Sequence, residues 1–172
     1  FQHAKVLHLE DHLHRLEETA HLDSQPLELD HPHIRRMLRQ AVESYPEDQE
    51  LRLRLLVDLE SQPGEAYLLA EHLHLPDADD YRAGVKVKTC HFERANPRAK
   101  LTRTMAGAAE FRQALPADVN EALMVDGNGL IGEGLSSNFF AVKNDVLWTA
   151  ETGVLAGITR QLVLQAADRT GI

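Results

Sequence analysis

The stretch "EALMVDGNGLIGEGLSSNFFAVKNDVLWTA", residues 121–150, most constrains the fold, because its apolar runs are too short for helices and end in turn residues. Gly127-Asn128-Gly129 and Asn144-Asp145 supply the backbone freedom that tight hairpins demand, so "EALMVD", "LIGEG", "NFFAVK" and "VLWT" read as four short strands that pair antiparallel. One segment interrupts this pattern. In "EGLSSNFF", Glu133 to Phe140, an acid, two serines and an asparagine stand where core residues would be expected. Gly132 and Gly134 flank Glu133, and glycine on both sides lets a backbone or a flat ligand approach closely. A carboxylate in that place can hold a proton on a ring nitrogen; the alternative is an exposed turn glutamate.

Upstream, "HAKVLHL" reads as a short strand leading into a helix that begins near Glu10 and Asp11, with Leu9, Leu13, Leu16 and Ala20 at helical spacing. Asp23-Ser24-Gln25-Pro26 closes it. Asp30 is the expected N-cap of a second helix whose stripe is Ile34, Met37, Leu38, Ala41, Val42 and Tyr45, stopped by Pro46. "LRLRLLVDL" (51–59) alternates as a strand does, and "EAYLLAEHL" is its partner across the Gln62-Pro63-Gly64 turn. Residues 76–84, "PDADDYRAG", are polar and aperiodic. They suggest a boundary, giving an N-terminal α/β part over 1–77, a linker over 78–84 and a C-terminal part over 85–172. In the latter, "VKVKTCHFE" is extended, Thr104 to Leu115 is helical, and a final helix runs from Ile158 to about Thr170. The fold class is α+β, with antiparallel strands dominating the second half.

Charge and cysteine content narrow the partners. A net charge of −9 over 172 residues argues against a nucleic-acid backbone or an anionic membrane as main partner. No apolar run reaches the length of a membrane span. The single cysteine, Cys90, excludes an internal disulfide and suits a reducing cytoplasm.

Further segments carry candidate chemistry. In "LAGITRQ", Gly157 precedes a helix whose first turn holds Ile158 and Thr159, leaving backbone N–H groups and a hydroxyl available to a phosphate; otherwise Gly157 only starts the helix and Thr159 caps it. Arg15 flanks the apolar stripe of its helix and either pairs with Asp11 or Glu18 or aims its guanidinium at a phosphate. Lys86 and Lys88 alternate with valines as the wet face of a strand. Lys100 precedes a helix of small residues (Ala106, Gly107, Ala108, Ala109), surroundings that would help desolvate a Schiff-base amine. The ten histidines invite a metal, but His12/His14 and His31/His33 lie two apart on helices and point to different sides. His72 and His74 share a strand face without a third ligand, so no metal site is expected.

Taken together and in this order, "HLHRL", Lys100 at 33 positions before Glu133, the 121–150 segment and "VLAGITRQLVLQAADRTGI" resemble the class IV (fold-type IV) pyridoxal-phosphate-dependent aminotransferases. That family includes branched-chain and D-amino-acid aminotransferases and aminodeoxychorismate lyase. The resemblance implies that Lys100 carries pyridoxal 5′-phosphate as a Schiff base and that Glu133 pairs with the pyridine nitrogen. It implies that Arg15, Ile158 through its N–H, and Thr159 bind the phosphate beside Gly157, with Leu155 packed on the ring. Asn138 would organise the bend that holds Glu133. The implied reaction is ping-pong amino transfer between an amino acid and a 2-keto acid, in a homodimer. An aminodeoxychorismate lyase, or an inactive fragment serving as a binding module, is the alternative. Relatives have further strands before position 1 and after position 172, so the chain reads as the family's middle. Substrate-selecting residues are expected in those outer parts.

Overall fold

The computed structural model describes residues 6–46, 50–92 and 94–172. The chain separates into two compact units, Phe1–Asp77 and Ala78–Ile172.

In the first unit, α1 (Leu9–Leu22) and α2 (His31–Glu43) precede the strands β1 (Leu51–Val57) and β2 (Ala66–His72). Asp30 caps α2, its Oδ1 accepting from His33 N–H at 2.9 Å, with Pro32 in the first turn where a missing N–H costs nothing. The link from α1 to α2 is tied by Glu17, whose Oε1 accepts from Leu29 N–H at 3.1 Å. β1 and β2 form an antiparallel hairpin in the register Leu51↔His72 to Val57↔Ala66. Period-2 alternation places Leu53, Leu55 and Leu68 on one face, where they pack against Leu13, Ile34 and Leu38. Arg52 and Arg54 point to solvent. Leu13 is 1% exposed; burying such a side chain contributes about 1.5–3 kcal/mol.

Two expectations need correction in this unit. The strand expected over residues 3–9 falls partly outside the described residues, and Val6, Leu7 and His8 are not in a strand: His8 adopts a left-handed conformation (φ 51°) and α1 starts at Leu9. Tyr45 lies beyond the end of α2 and is exposed, because the helix ends at Glu43 before Pro46.

The second unit begins with α3 (Ala78–Ala83), a six-residue, fully exposed-to-half-buried helix within the stretch read as an irregular linker. It continues with β3 (Val87–Cys90), α4 (Thr102–Gln113), β4 (Glu121–Val125), β5 (Ile131–Gly134), β6 (Ala141–Lys143), β7 (Val146–Trp148) and α5 (Ile158–Thr170). β3, β4 and β5 form one sheet in that order. β3 runs parallel to β4 through a crossover that contains α4, while β4 and β5 are antiparallel across an irregularity between Leu123 and Val125. Ala122, Met124, Ala108 and Leu135 form the core between strand and helix, with Cys90, Phe92 and Leu115 against it. The β6–β7 hairpin turns through Asn144 (φ 52°) and Asp145 (φ 59°), the pair of left-handed residues that a two-residue turn of this twist requires. Phe139 and Phe140, which end the interrupting segment, are half-buried. Among the described residues no helix is long and apolar enough to cross a membrane. Mixed helices with parallel and antiparallel strands make this an α+β fold.

Candidate functional site

β5 delivers Glu133 to the interior. Its side chain is almost wholly buried, with 2% exposure for the residue, which removes the reading of an exposed turn glutamate. The oxygen Oε2 accepts from Asn138 Nδ2 at 3.2 Å and from Leu155 N–H at 3.1 Å. Asn138 also donates to Leu155 O at 3.0 Å, so its amide clamps Glu133 and the segment before α5 to each other. An isolated bridge between Glu133 and Asn138 fixes the two residues across the bend.

The other oxygen is held differently. Arg94 Nη1 lies 3.1 Å from Glu133 Oε1, yet the approach is not aligned for a hydrogen bond and Oε1 has none. Arg94 also donates from Nη2 to Leu135 O at 3.0 Å, and its Nε is buried without a hydrogen bond. Arg160 donates to Ala150 O at 2.8 Å and adds positive potential at Glu133. Burial pushes the Glu133 carboxyl above the usual carboxylate range, against the pull of Arg94, the Leu155 N–H and Arg160.

The serines of the interrupting segment serve a second acid. Glu121 opens β4, and its Oε2 accepts from Ser136 N–H (3.3 Å), Ser136 Oγ (3.0 Å) and Ser137 Oγ (3.1 Å). Its Oε1 accepts from Ala122 N–H and Arg112 Nη2, both at 3.0 Å. Burial alone would raise this carboxyl, but the bonds from Ala122 and Ser136, with Arg112 and Ser137, hold it below its ordinary value. The bend is further closed by Gly134 N–H donating to Ser137 O at 2.7 Å. A Cβ on Gly134 would collide with Ser137 Oγ and stand 3.1 Å from Glu121 Cγ, so the glycine is needed for the chain's own close approach.

α5 starts beside this cluster. Gly157, its N-cap, is extended (φ −65°, ψ 137°), and no side chain caps the helix. A Cβ on Gly157 would overlap Asn138 Oδ1, so Asn138 packs directly against the helix start. Ile158 is buried and Thr159 exposed in the first turn, an end whose free N–H groups and dipole favour an anion.

The structure therefore brings Glu133, Asn138, Leu155 and Gly157 into one cluster, continued by Ile158 and Thr159. Lys100 lies in the same unit, one residue before the N-cap of α4, exposed between the buried Ala99 and Leu101. Of the small residues of α4, Ala108 packs into the core, Gly107 is half-buried, and Ala106 and Ala109 are exposed, so the folded chain leaves Lys100 at the surface. Arg15 belongs to the first unit. It is half-buried, with Nη2 3.4 Å from His12 Nδ1, and burial lowers its pKa. Arg94, Arg160, Glu121 and Arg112 were not singled out from the sequence. Their partners lie up to 41 positions away, and no local spacing signals such pairs.

The whole chain, residues 1–172, matches the family described as amino-transferase class IV. It is 27% identical over 186 residues to a branched-chain-amino-acid aminotransferase of Pseudomonas aeruginosa, covering 99% of this chain and 61% of that protein. Among solved structures, a Thermotoga maritima protein assigned as a branched-chain amino acid aminotransferase superposes with a TM-score of 0.77 at 26% identity, over 95% of this chain and 58% of that one. A protein described as a 4-amino-4-deoxychorismate lyase also gives 0.77 at 26% identity, over 96% of this chain and 66% of that one. The chain thus spans about three-fifths of the length of these relatives. Solved structures of the same fold hold pyridoxal 5′-phosphate or pyridoxamine 5′-phosphate, and pyridoxal 5′-phosphate is the cofactor of the family. By sequence and by fold, the chain belongs to the class IV aminotransferases.

Proposed function

We propose that this chain forms part of an enzyme that moves an amino group between an amino acid and a 2-keto acid by a ping-pong cycle, with Lys100, Glu133 and the start of α5 as its working parts. The observation that carries the reading is Glu133 Oε1, a buried carboxylate oxygen without a hydrogen bond, on an acid whose other oxygen is fixed by two donors. A carboxylate held in that way suits a protonated ring nitrogen, which would donate to Oε1 what the polypeptide does not. Pyridoxal 5′-phosphate, when bound, supplies a carbonyl carbon for amines to condense with and a ring that draws electrons from the substrate Cα.

The chain's own residues have distinct tasks. Glu133 keeps the ring nitrogen protonated, and Arg94 and Arg160 help it to remain an anion despite burial. Asn138 sets the position of Glu133 and of Leu155 by donating to both. The Ile158 and Thr159 amides and the Thr159 hydroxyl receive the phosphate, and the family resemblance assigns Arg15 to the same group. Lys100 Nζ, as a neutral amine, takes the proton from the substrate Cα and returns it, so its position between anchored residues matters more than its own burial. By the same reading the active form is a cytoplasmic homodimer.

The equal likeness to a 4-amino-4-deoxychorismate lyase favours a second reading, in which the site releases pyruvate from that substrate without a keto-acid acceptor. The test is to incubate the protein with pyridoxal 5′-phosphate, reduce it with borohydride and map the modified peptide by mass spectrometry. A pyridoxyl group on Lys100 is expected. A group on Lys86 or Lys88, or none, overturns the assignment and leaves a binding module. Keto-acid-dependent product formation from amino acids, against pyruvate release from 4-amino-4-deoxychorismate alone, separates transferase from lyase.

A further inference from the structure

We propose that His14, Glu17 and His31 form a binding site for a divalent transition metal, zinc foremost, that clips α1 to the first turn of α2. The proposal is independent of the amino-transfer reading, since it involves none of the residues assigned there. His14 and Glu17 are one turn apart on α1, and His31 is the first residue of α2. Their ligating atoms all lie within 4.8 Å of one another. His31 Nε2 is 3.0 Å from Glu17 Oε1, and His14 Nδ1 is 3.3 Å from Glu17 Oε2. In a tetrahedral zinc site with bonds of about 2.0–2.1 Å, ligand atoms stand roughly 3.3–3.4 Å apart. The two imidazoles approach the two oxygens of the Glu17 carboxylate at distances close to that length, and small side-chain rotations bring all three groups around one ion. Two imidazoles and one carboxylate form a donor set suited to zinc, and the exposed flank at His14 leaves room for water in the fourth position.

The ligands are held in place by the kind of partners that metal-binding histidines have. His31 turns Nε2 toward the site and Nδ1 toward Glu10 Oε2, at 3.4 Å. Such a carboxylate behind the ring fixes its orientation and makes the ligating nitrogen a better donor. Glu10 is itself anchored by Arg35, whose Nη2 lies 2.6 Å and Nε 3.0 Å from Glu10 Oε1. Glu17 is fixed by the Leu29 N–H. Spacing along the sequence concealed the site, since neighbouring histidines diverge on each helix while His14 and His31 meet across the two, with ring centroids 5.5 Å apart.

Calorimetric titration of zinc chloride into the full chain, stripped beforehand with a chelator, tests the proposal. One saturable zinc is expected. His14→Ala, a change at an exposed position, removes a ligand and should weaken binding by more than tenfold. Glu10→Gln leaves all ligands in place and should weaken it by about 10- to 100-fold. His33→Ala and the His72→Ala/His74→Ala pair should leave the affinity unchanged. Cobalt(II), used as a spectroscopic probe, should give the intense visible absorption of a tetrahedral site in the wild type and not in His14→Ala. Absence of saturable zinc binding, unchanged affinity in His14→Ala, or an equal loss in the His33 and His72/His74 controls overturns it.

Discussion

Glu121→Gln isolates what holds the 135–138 bend, because it preserves shape and removes charge and one acceptor. The amide oxygen can still accept from Ala122 N–H and Arg112, but as a neutral partner. The new NH₂ replaces Oε2 and meets Ser136 N–H, Ser136 Oγ and Ser137 Oγ. The two hydroxyls can rotate and accept, whereas the Ser136 N–H cannot, so one backbone donor is left facing another. Losing that bond costs about 1 kcal/mol, and weakening the remaining bonds from charged to neutral costs about another 1 kcal/mol. The Arg112 side chain is 47% exposed, so its ion pair adds little beyond this. A loss of about 2 kcal/mol in a chain of 172 residues corresponds to a fall in Tm of about 4–8 °C. The carboxyl titrates below its ordinary value of 4.5 in the folded state, so its stabilisation is fully present above that pH and disappears as pH falls through the depressed folded value. Thermal melts followed by circular dichroism should show the full gap between wild type and variant at pH 7 and a shrinking gap below about pH 4.5. Coincident melts at pH 7, or a gap unchanged down to pH 3, would refute the role given to Glu121.

Other expectations concern the same cluster and the first unit's core. Arg94→Met leaves the Glu133 carboxylate buried without its nearest cation and should destabilise by about 3–5 kcal/mol; the double variant Arg94→Met/Glu133→Gln should recover much of this in urea melts. Because the folded Glu133 carboxyl is raised, wild-type stability is favoured at and below pH 4.5 and declines as pH rises through the raised value, so the advantage of Glu133→Gln over wild type should grow with pH; a constant difference from pH 4 to 8 contradicts it. Gly134→Ala should lower Tm markedly and reduce pyridoxal phosphate uptake, since its methyl group takes the space of Ser137 Oγ. Leu13→Ala should cost about 2–5 kcal/mol by opening a cavity against Ile34 and Leu38.

Local signals were the readable part of this fold. The β6–β7 hairpin follows from Asn144 and Asp145, two residues that tolerate positive φ, set between apolar pairs. α5 was readable at both ends because Gly157 precedes its first periodic residue and Gly171, at φ 75°, terminates it. Asp30 announced α2 by the same logic. The failures came where tertiary contact or solvent decides. Residues 6–8 are apolar enough for a strand, but among the described residues they pair with none, and the helix takes over at Leu9. Lys100 precedes the small residues of α4, which suggested desolvation, yet of these only Ala108 is in the core and Lys100 is exposed. Nothing in the local sequence of Arg94 points to a carboxylate on β5, and nothing around Glu121 identifies Ser136 and Ser137 as its donors.

The two acids at this bend have opposite electrostatic fates, and the contrast separates scaffold from chemistry. Both are largely withdrawn from water, and desolvation is the largest influence on each. Glu121 meets enough donors to overcome it, so its carboxyl is driven down and its charge is locked into the bend that carries Asn138. Glu133 meets two donors at one oxygen and a misaligned guanidinium at the other, so its carboxyl is driven up. An acid with all its acceptors filled has nothing further to offer a ligand. One with a single oxygen without a hydrogen bond, held by a scaffold that spends its own hydrogen bonds elsewhere, retains an interaction to give. The interrupting serines are therefore not part of the reactive constellation: they satisfy Glu121, and by doing so let Asn138 and Leu155 hold Glu133 in its partly satisfied state. On this reasoning, Ser136→Ala/Ser137→Ala should perturb the site through the position of Asn138, lowering cofactor affinity while leaving the modified lysine unchanged. A double variant that moved the pyridoxyl adduct to another lysine would contradict the division of labour between the two acids.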